Sequence, residues 1–174
     1  ELSFFIGSEI DLTPSLLVSL GVRHASYRQL GPATVLFYED DRPGPKSLVT
    51  GRETFSAGEQ IVSYSGFEPR LSLRYSLNEE SSVKLSYNRT RQYIHQISNS
   101  FSATPSDIWQ VSTRYIPPQE ADSYSAGYYR EFIKPSLQTS FELYYRSMDN
   151  VVEYRDFAEL FLSEAFEQEL LAGI

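Results

Sequence analysis

Four cations, Arg23, Arg70, Arg74 and Lys84, stand among alternating serines and apolar residues, as in PRLSLRYSLNEESSVKLSY. Alternation of this kind puts them on the polar side of β-strands, together with Glu9, Glu142 and Arg146. A polar stripe with such charges can close ion pairs with acids on neighbouring strands. It can also hold an anionic ligand through charge-assisted hydrogen bonds. Other chemistry is scarce. The chain has 2 histidines, His24 and His95, and no serine in a nucleophile motif, so no acid, base and nucleophile converge. No catalytic residue is named on these grounds, and the chain reads as a non-enzyme. Glu39, Asp40 and Asp41 offer hard oxygen atoms for Ca²⁺, but they lack the spacing of a known binding loop and read as a solvated acidic turn. There is no cysteine, which removes thiolate zinc sites and disulfides. No metal or cofactor is expected. Asn88-Arg89-Thr90 matches a glycosylation pattern but falls inside a strand and is set aside.

The elements that position these residues are strands. In 174 residues there are 13 tyrosines and 11 phenylalanines, a β-former's composition. The formal charge of −8 argues against a nucleic-acid partner, which needs a basic face. No apolar run approaches the length of a membrane helix, which leaves membrane strands open because they alternate. Strand patterns come in pairs. Leu2, Phe4 and Ile6 lead to a turn at Thr13-Pro14-Ser15, and Leu16, Val18, Leu20 and Val22 return. Leu71, Leu73, Tyr75 and Leu77 run to the charged turn Asn78–Ser81, answered by Val83, Leu85 and Tyr87. Tyr124, Ala126 and Tyr128 reach a turn around Ile133-Lys134-Pro135-Ser136, followed by Phe141, Leu143 and Tyr145. The stretch FAELFLSEAFEQELL, from Phe157, has a weak helical pattern, read as irregular or a short helix to about Phe166; a seventh strand is expected near Glu167.

Within each pair the connection is short. Between pairs it is long: Gly31 to Gln60, Ile97 to Glu120 and Asp156 to Phe166. Strict alternation puts all short turns at one end of the sheet and all long loops at the other, the asymmetry of outer-membrane barrels. The expected fold is therefore all-β: an antiparallel up-and-down meander of about six or seven strands, part of a transmembrane β-barrel. Tyr27, Tyr64 and Tyr93 stand where strands enter the long loops and Phe132 beside a short turn, as aromatic belts at membrane interfaces do.

The stretches PRLSLRYSLNEESSVKLSYNRTRQYIHQISN, DIWQVSTRYIPPQEADSYSAGYYREF and FELYYRSMDNVVEYRD resemble the barrel of TonB-dependent outer-membrane receptors, particularly those of Bacteroidetes-type bacteria. The resemblance runs from about Gly66 to Gly173, and TPSLLVSLGVRHASY in the first hairpin is compatible with it. It implies a barrel of about 22 strands plugged by an N-terminal globular domain. It further implies uptake of a scarce nutrient (siderophore, haem, cobalamin, oligosaccharide or peptide) with energy from the TonB complex. Residues 1–174 would be a partial barrel, the plug, the TonB-contacting segment and the C-terminal strands being absent. By the family's habit of selecting ligand with its loops, Trp109, Arg114 and Tyr115 become candidate ligand contacts, beside Arg70, Arg74 and Lys84 in the lumen.

Two expectations concern the apolar face. Arg89 and Arg91 continue the parity of Leu85 and Tyr87. Either a bulge near Asn88 resets the phase, or, as preferred here, the strand has risen to the headgroups, where both could meet lipopolysaccharide phosphates or other outer-membrane lipid. An isolated piece of barrel should also cover its apolar side by curling on itself or self-associating. The competing reading is a secreted β-sheet adhesion module whose apolar face is an ordinary core. An outer-membrane hydrolase is a third reading.

Overall fold

The computed structural model describes residues 1–39, 41, 43–44, 47–97, 108–132, 136–154 and 170–171. In chain order its strands are β1 (Leu2–Thr13), β2 (Leu16–Leu30), β3 (Ala33–Tyr38), β4 (Val49–Phe55), β5 (Gln60–Asn78), β6 (Ser81–Gln92), β7 (Ile94–Ile97), β8 (Ile108–Val111), β9 (Gln119–Phe132), β10 (Leu137–Asp149), β11 (Glu153–Tyr154) and β12 (Leu170–Leu171). Six of them form one antiparallel sheet in the order β1-β2-β5-β6-β9-β10. This is the expected meander, open at both edges. Each long connection holds a small hairpin of its own: β3 with β4, β7 with β8, and β11 with β12. The strand foreseen near Glu167 is thus the short β12, which pairs back on β11 instead of widening the main sheet. Residues 155–169, including the helical pattern up to Phe166, lie outside the described residues, as do 133–135 of the third turn.

Local chemistry explains the short turns. Pro14-Ser15 closes the first. In the second, the Asn78 Oδ1 accepts from the Glu80 N–H at 3.0 Å and from the Ser81 hydroxyl at 2.8 Å, a side chain imitating a backbone turn. Register then sorts the sheet into rows. Ile10, Val18, Leu73, Leu85, Ala126 and Leu143 are successive cross-strand partners and form one apolar row. The row beside it is polar throughout: Glu9, Ser19, Ser72, Ser86, Ser125 and Tyr144. Leu143 is 61 % exposed, and Phe4, Leu20, Leu71, Leu85 and Phe141 are exposed with it. Among the described residues the sheet does not curl back to cover this face, contrary to expectation, because the meander of hairpins sends none of their elements across it. From Phe67 to Tyr75 the apolar face covers ~26 Å of strand at ~3.3 Å per residue. Tilted by ~40°, that is ~20 Å of the ~25 Å lipid-facing band of a barrel.

On the polar face, glycines make room for aromatic rings. The Phe5 ring lies over Gly7 and Gly21, and the Tyr129 ring over Gly127, so a Cβ at any of the three would meet a ring atom. These pairs cover bare backbone in strand interiors that glycine otherwise weakens.

Towards the long connections the sheet divides. The β5–β6 ladder ends at Arg70↔Asn88, although β5 stays paired to β2 as far as Gln60 and β6 to β9 as far as Gln92. The next residue on β5 is Pro69, which has no N–H to give. Above it β6 laps over the polar side of β5. The Arg91 guanidinium fills the space a Cβ on Gly66 would need, and Tyr93 packs on Ala25 and Tyr27, which share that side. Both expectations for this stretch are thereby corrected. No bulge exists, since the β6–β9 register runs unbroken from Ser81↔Arg130 to Gln92↔Gln119. Nor do the arginines reach for lipid phosphates: Arg89 holds Asp122 with two hydrogen bonds, at 2.8 and 2.6 Å, and Arg91 holds Glu120 at 2.8 Å. Two acids opposite them on β9 neutralise both charges.

Candidate functional site

Arg74 and Lys84 are direct cross-strand partners on the polar face, with Leu17 beyond Arg74 and Gly127 beyond Lys84. Like charges placed opposite each other destabilise a sheet unless an anion sits between them. The row ends in an acid at each edge: Asp11 lies across Leu17 from Arg74, and Glu142 lies across Gly127 from Lys84, bonded by the Tyr129 hydroxyl. Glu9 is occupied by Ser19, at 3.0 Å. Among the described residues, the ion pairs involve Arg23, Arg89, Arg91 and Arg114, and none involves Arg70, Arg74 or Lys84. Around Arg74 and Lys84 lies a concavity of about 460 Å³ lined also by Glu9, Leu17, Ser19, Ser72, Ser82 and Tyr129. Arg70 stands two polar rows higher, opposite Gly21 and Asn88. The chemistry of this wall is hydroxyl-rich, with cations that form no ion pair among the described residues.

The loop candidates divide. Alternation persists through the end of β6 into β7: Tyr93, His95 and Ile97 are buried while Gln92, Ile94 and Gln96 are exposed. The exposed side therefore continues the side of Lys84, Ser86 and Asn88. On the β7–β8 hairpin that side presents Trp109, 66 % exposed, beside Ile94 and Val111. Arg114 and Tyr115 have another engagement. Arg114 bonds Asp41 at 3.1 Å and lies 5.3 Å from the Phe37 ring centre, and Tyr115 meets Tyr38 edge-on at 5.4 Å. They clasp the second long connection to the β3–β4 hairpin of the first. Trp109 and the lumenal cations are left facing open space, while Arg114 and Tyr115 join two loops.

Sequence reasoning missed the other half of this clasp, Phe37 and Tyr38, and its pins on the wall. The alternating TVLFY from Thr34 was the available signal for a hairpin. The Tyr27 hydroxyl donates to the Ser112 carbonyl at 3.1 Å and the Tyr64 hydroxyl to the Thr113 carbonyl at 2.7 Å. Tyr27 also stacks on Tyr93, ring centres 5.2 Å apart. These three tyrosines are thus no interface belt. They stand on the polar side and fasten a cap of loop over it. The outward aromatics near this height are Phe67, against His24, and the tilted series Tyr87, Tyr124 and Tyr145.

A long-stranded meander with an uncovered apolar face, a hydroxyl-lined polar face and a loop cap at one end is a piece of barrel wall. Residues 1–161 match the family described as TonB dependent receptor-like, beta-barrel. The chain belongs to the TonB-dependent receptor β-barrel family. No curated protein and no solved structure matches it. These receptors are a family of outer-membrane transporters and not of enzymes. Within the receptor wall, the described strands supply the lumenal cations from β5 and β6, and the loop cap sits at the end where the long connections gather.

His95 is expected to make the cap of this receptor segment sensitive to acid. It is 4 % exposed, with its Nε2 3.3 Å from the Ser112 hydroxyl, and burial lowers its pKa below the usual 6.5. Well above pH 6.5 the imidazole is neutral whether the cap is closed or open, and closure keeps its full stability. As pH falls through that value the open form takes up the proton first, so closure weakens until the buried imidazole titrates too. Amide exchange at Ile94–Ile97 and Ser112, corrected for intrinsic rate, should therefore quicken between about pH 7 and pH 5. His95→Gln should flatten that profile. A flat profile in the native protein would remove His95 from this role.

Proposed function

We propose that this chain is part of the barrel of an outer-membrane importer, energised through TonB, whose nutrient is a small anion with an apolar or aromatic body, such as a ferric chelate. The pairing of Arg74 with Lys84 carries the reading: two facing cations that form no ion pair among the described residues suit an anion that arrives from outside. Trp109 and its apolar neighbours, on the side that continues this wall, suit the body of such a ligand. Residues 1–174 would contribute strands from the middle to late part of the barrel, with the plug and the TonB-contacting segment supplied by other parts of the receptor. Arg70 would extend the path along the lumen, whereas Arg114 and Tyr115 would shape the vestibule by holding two loops together.

The test is binding and uptake by the intact receptor in a strain lacking its own copy, with a trianionic ferric tricatecholate and a neutral ferric trihydroxamate as the two probes. Arg74→Ser with Lys84→Ser should weaken handling of the anionic probe about tenfold, the scale of a lost charge-assisted contact, and leave the neutral one unchanged. Trp109→Ala should weaken whichever probe is bound. Equal losses for both probes in the double variant, or no binding of the anionic chelate by the native receptor, would sink the anion reading.

A further inference from the structure

We infer that the upper end of β6, Arg89 to Gln92, has two seats on the barrel wall and that moving between them sets the width of the lumen's mouth. In the seat the structure shows, β6 laps over the polar side of β5. In the other it zips onto the edge of β5 by continuing the register of Arg70↔Asn88, which opposes Pro69 to Arg89, Glu68 to Thr90, Phe67 to Arg91 and Gly66 to Gln92. Both edges are long enough for those rungs and neither uses them. Pro69 explains where the division starts, because the first rung above Arg70↔Asn88 involves a residue with no N–H.

The lapped seat has both gains and defects, as a two-position element needs. Its gains are the Tyr27–Tyr93 stack and the packing of Arg91 into the clearance left by Gly66. Its defects are three buried polar atoms without a partner in one neighbourhood, Glu68 Oε1, Arg91 Nη1 and the Tyr93 hydroxyl, and the unused ladder groups of both edges. Zipping exposes the first set to solvent and satisfies the second. It also carries β9, β7 and the Ser112–Ile116 segment outward, since these are bonded to β6 or to the residues following it. The hydroxyls of Tyr27 and Tyr64 on Ser112 and Thr113 are then the pins that hold the narrow state.

The chain has no cysteine, so engineered pairs report directly. In the intact receptor in outer membranes, Ala25→Cys with Tyr93→Cys should cross-link in the lapped seat and Glu68→Cys with Thr90→Cys in the zipped one. Each pair should form in part of the population. Gly66→Ala, whose methyl collides with Arg91, should raise the Glu68/Thr90 yield about threefold by shifting the balance. Locking the zipped pair should speed labelling of a Ser72→Cys lumen site by a bulky maleimide, compared with locking the lapped pair. A lapped pair that links alone, with no response to Gly66→Ala, overturns the proposal, and so does a zipped pair that links alone. If these variants assemble poorly, spin labels at Ser65→Cys and Gln92→Cys decide instead: two distances support two seats and a single distance refutes them.

Discussion

Leu73→Arg is expected to prevent assembly of the intact receptor in the outer membrane, whereas Ser72→Arg, one residue away, is expected to be tolerated. Leu73 lies in the middle of the apolar row Ile10, Val18, Leu73, Leu85, Ala126 and Leu143. An arginine at that depth on the lipid side of a barrel costs ~2–4 kcal/mol. That is a substantial share of a typical folding stability of ~5–15 kcal/mol. Ser72 stands in the adjacent row of serines, where a guanidinium meets water. Heat-modifiable mobility in electrophoresis and protease resistance of isolated membranes read the result. If both variants assemble alike, the apolar row does not face lipid. If neither assembles, both faces are packed, as in the secreted module that the exposed Leu71, Leu85 and Leu143 already disfavour.

The second large effect is expected at Arg23. Glu68 is 1 % exposed, its Oε2 lies 3.5 Å from the Arg23 Nη1, and its Oε1 has no partner. Arg23 is in turn held by Glu1 at 2.7 Å and by the Ser3 hydroxyl at 3.2 Å. Arg23→Leu removes the cation and leaves the carboxylate buried, a change that costs ~3–5 kcal/mol when a buried pair is broken from one side. Adding Glu68→Leu should restore most of the loss, since replacing both members of such a pair by apolar residues is often neutral. The urea midpoint of the folded receptor in detergent measures this. A loss below ~1 kcal/mol in the single variant would place the pair among weak surface bridges.

Much of this wall is legible in the sequence. The three hairpins, their short turns and the long connections follow from period-two alternation and from turn residues such as Thr13-Pro14-Ser15 and Asn78–Ser81. So does the choice of face, because a strand sends neighbours to opposite sides wherever it lies. The shared polar side of Arg70, Arg74 and Lys84 came from the same rule, but their lack of ion pairs among the described residues did not. That required knowing which strands are neighbours, and that Leu17 stands between Arg74 and Asp11 and Gly127 between Lys84 and Glu142.

By itself, then, the sequence determined the strands, their faces and the segregation of short turns from long loops, since these depend on local spacing along the chain. Tertiary structure alone decided the course of β6 above Asn88 and the duties of the loop residues. Parity read Arg91 as facing lipid, and parity was right about the strand but not about the wall, because β6 leaves β5 at Pro69 and laps over Gly66. The same holds for Arg114 and Tyr115, whose partners Asp41, Phe37 and Tyr38 stand more than seventy positions earlier. Contacts of that separation are made by folding and leave no period in the sequence to read.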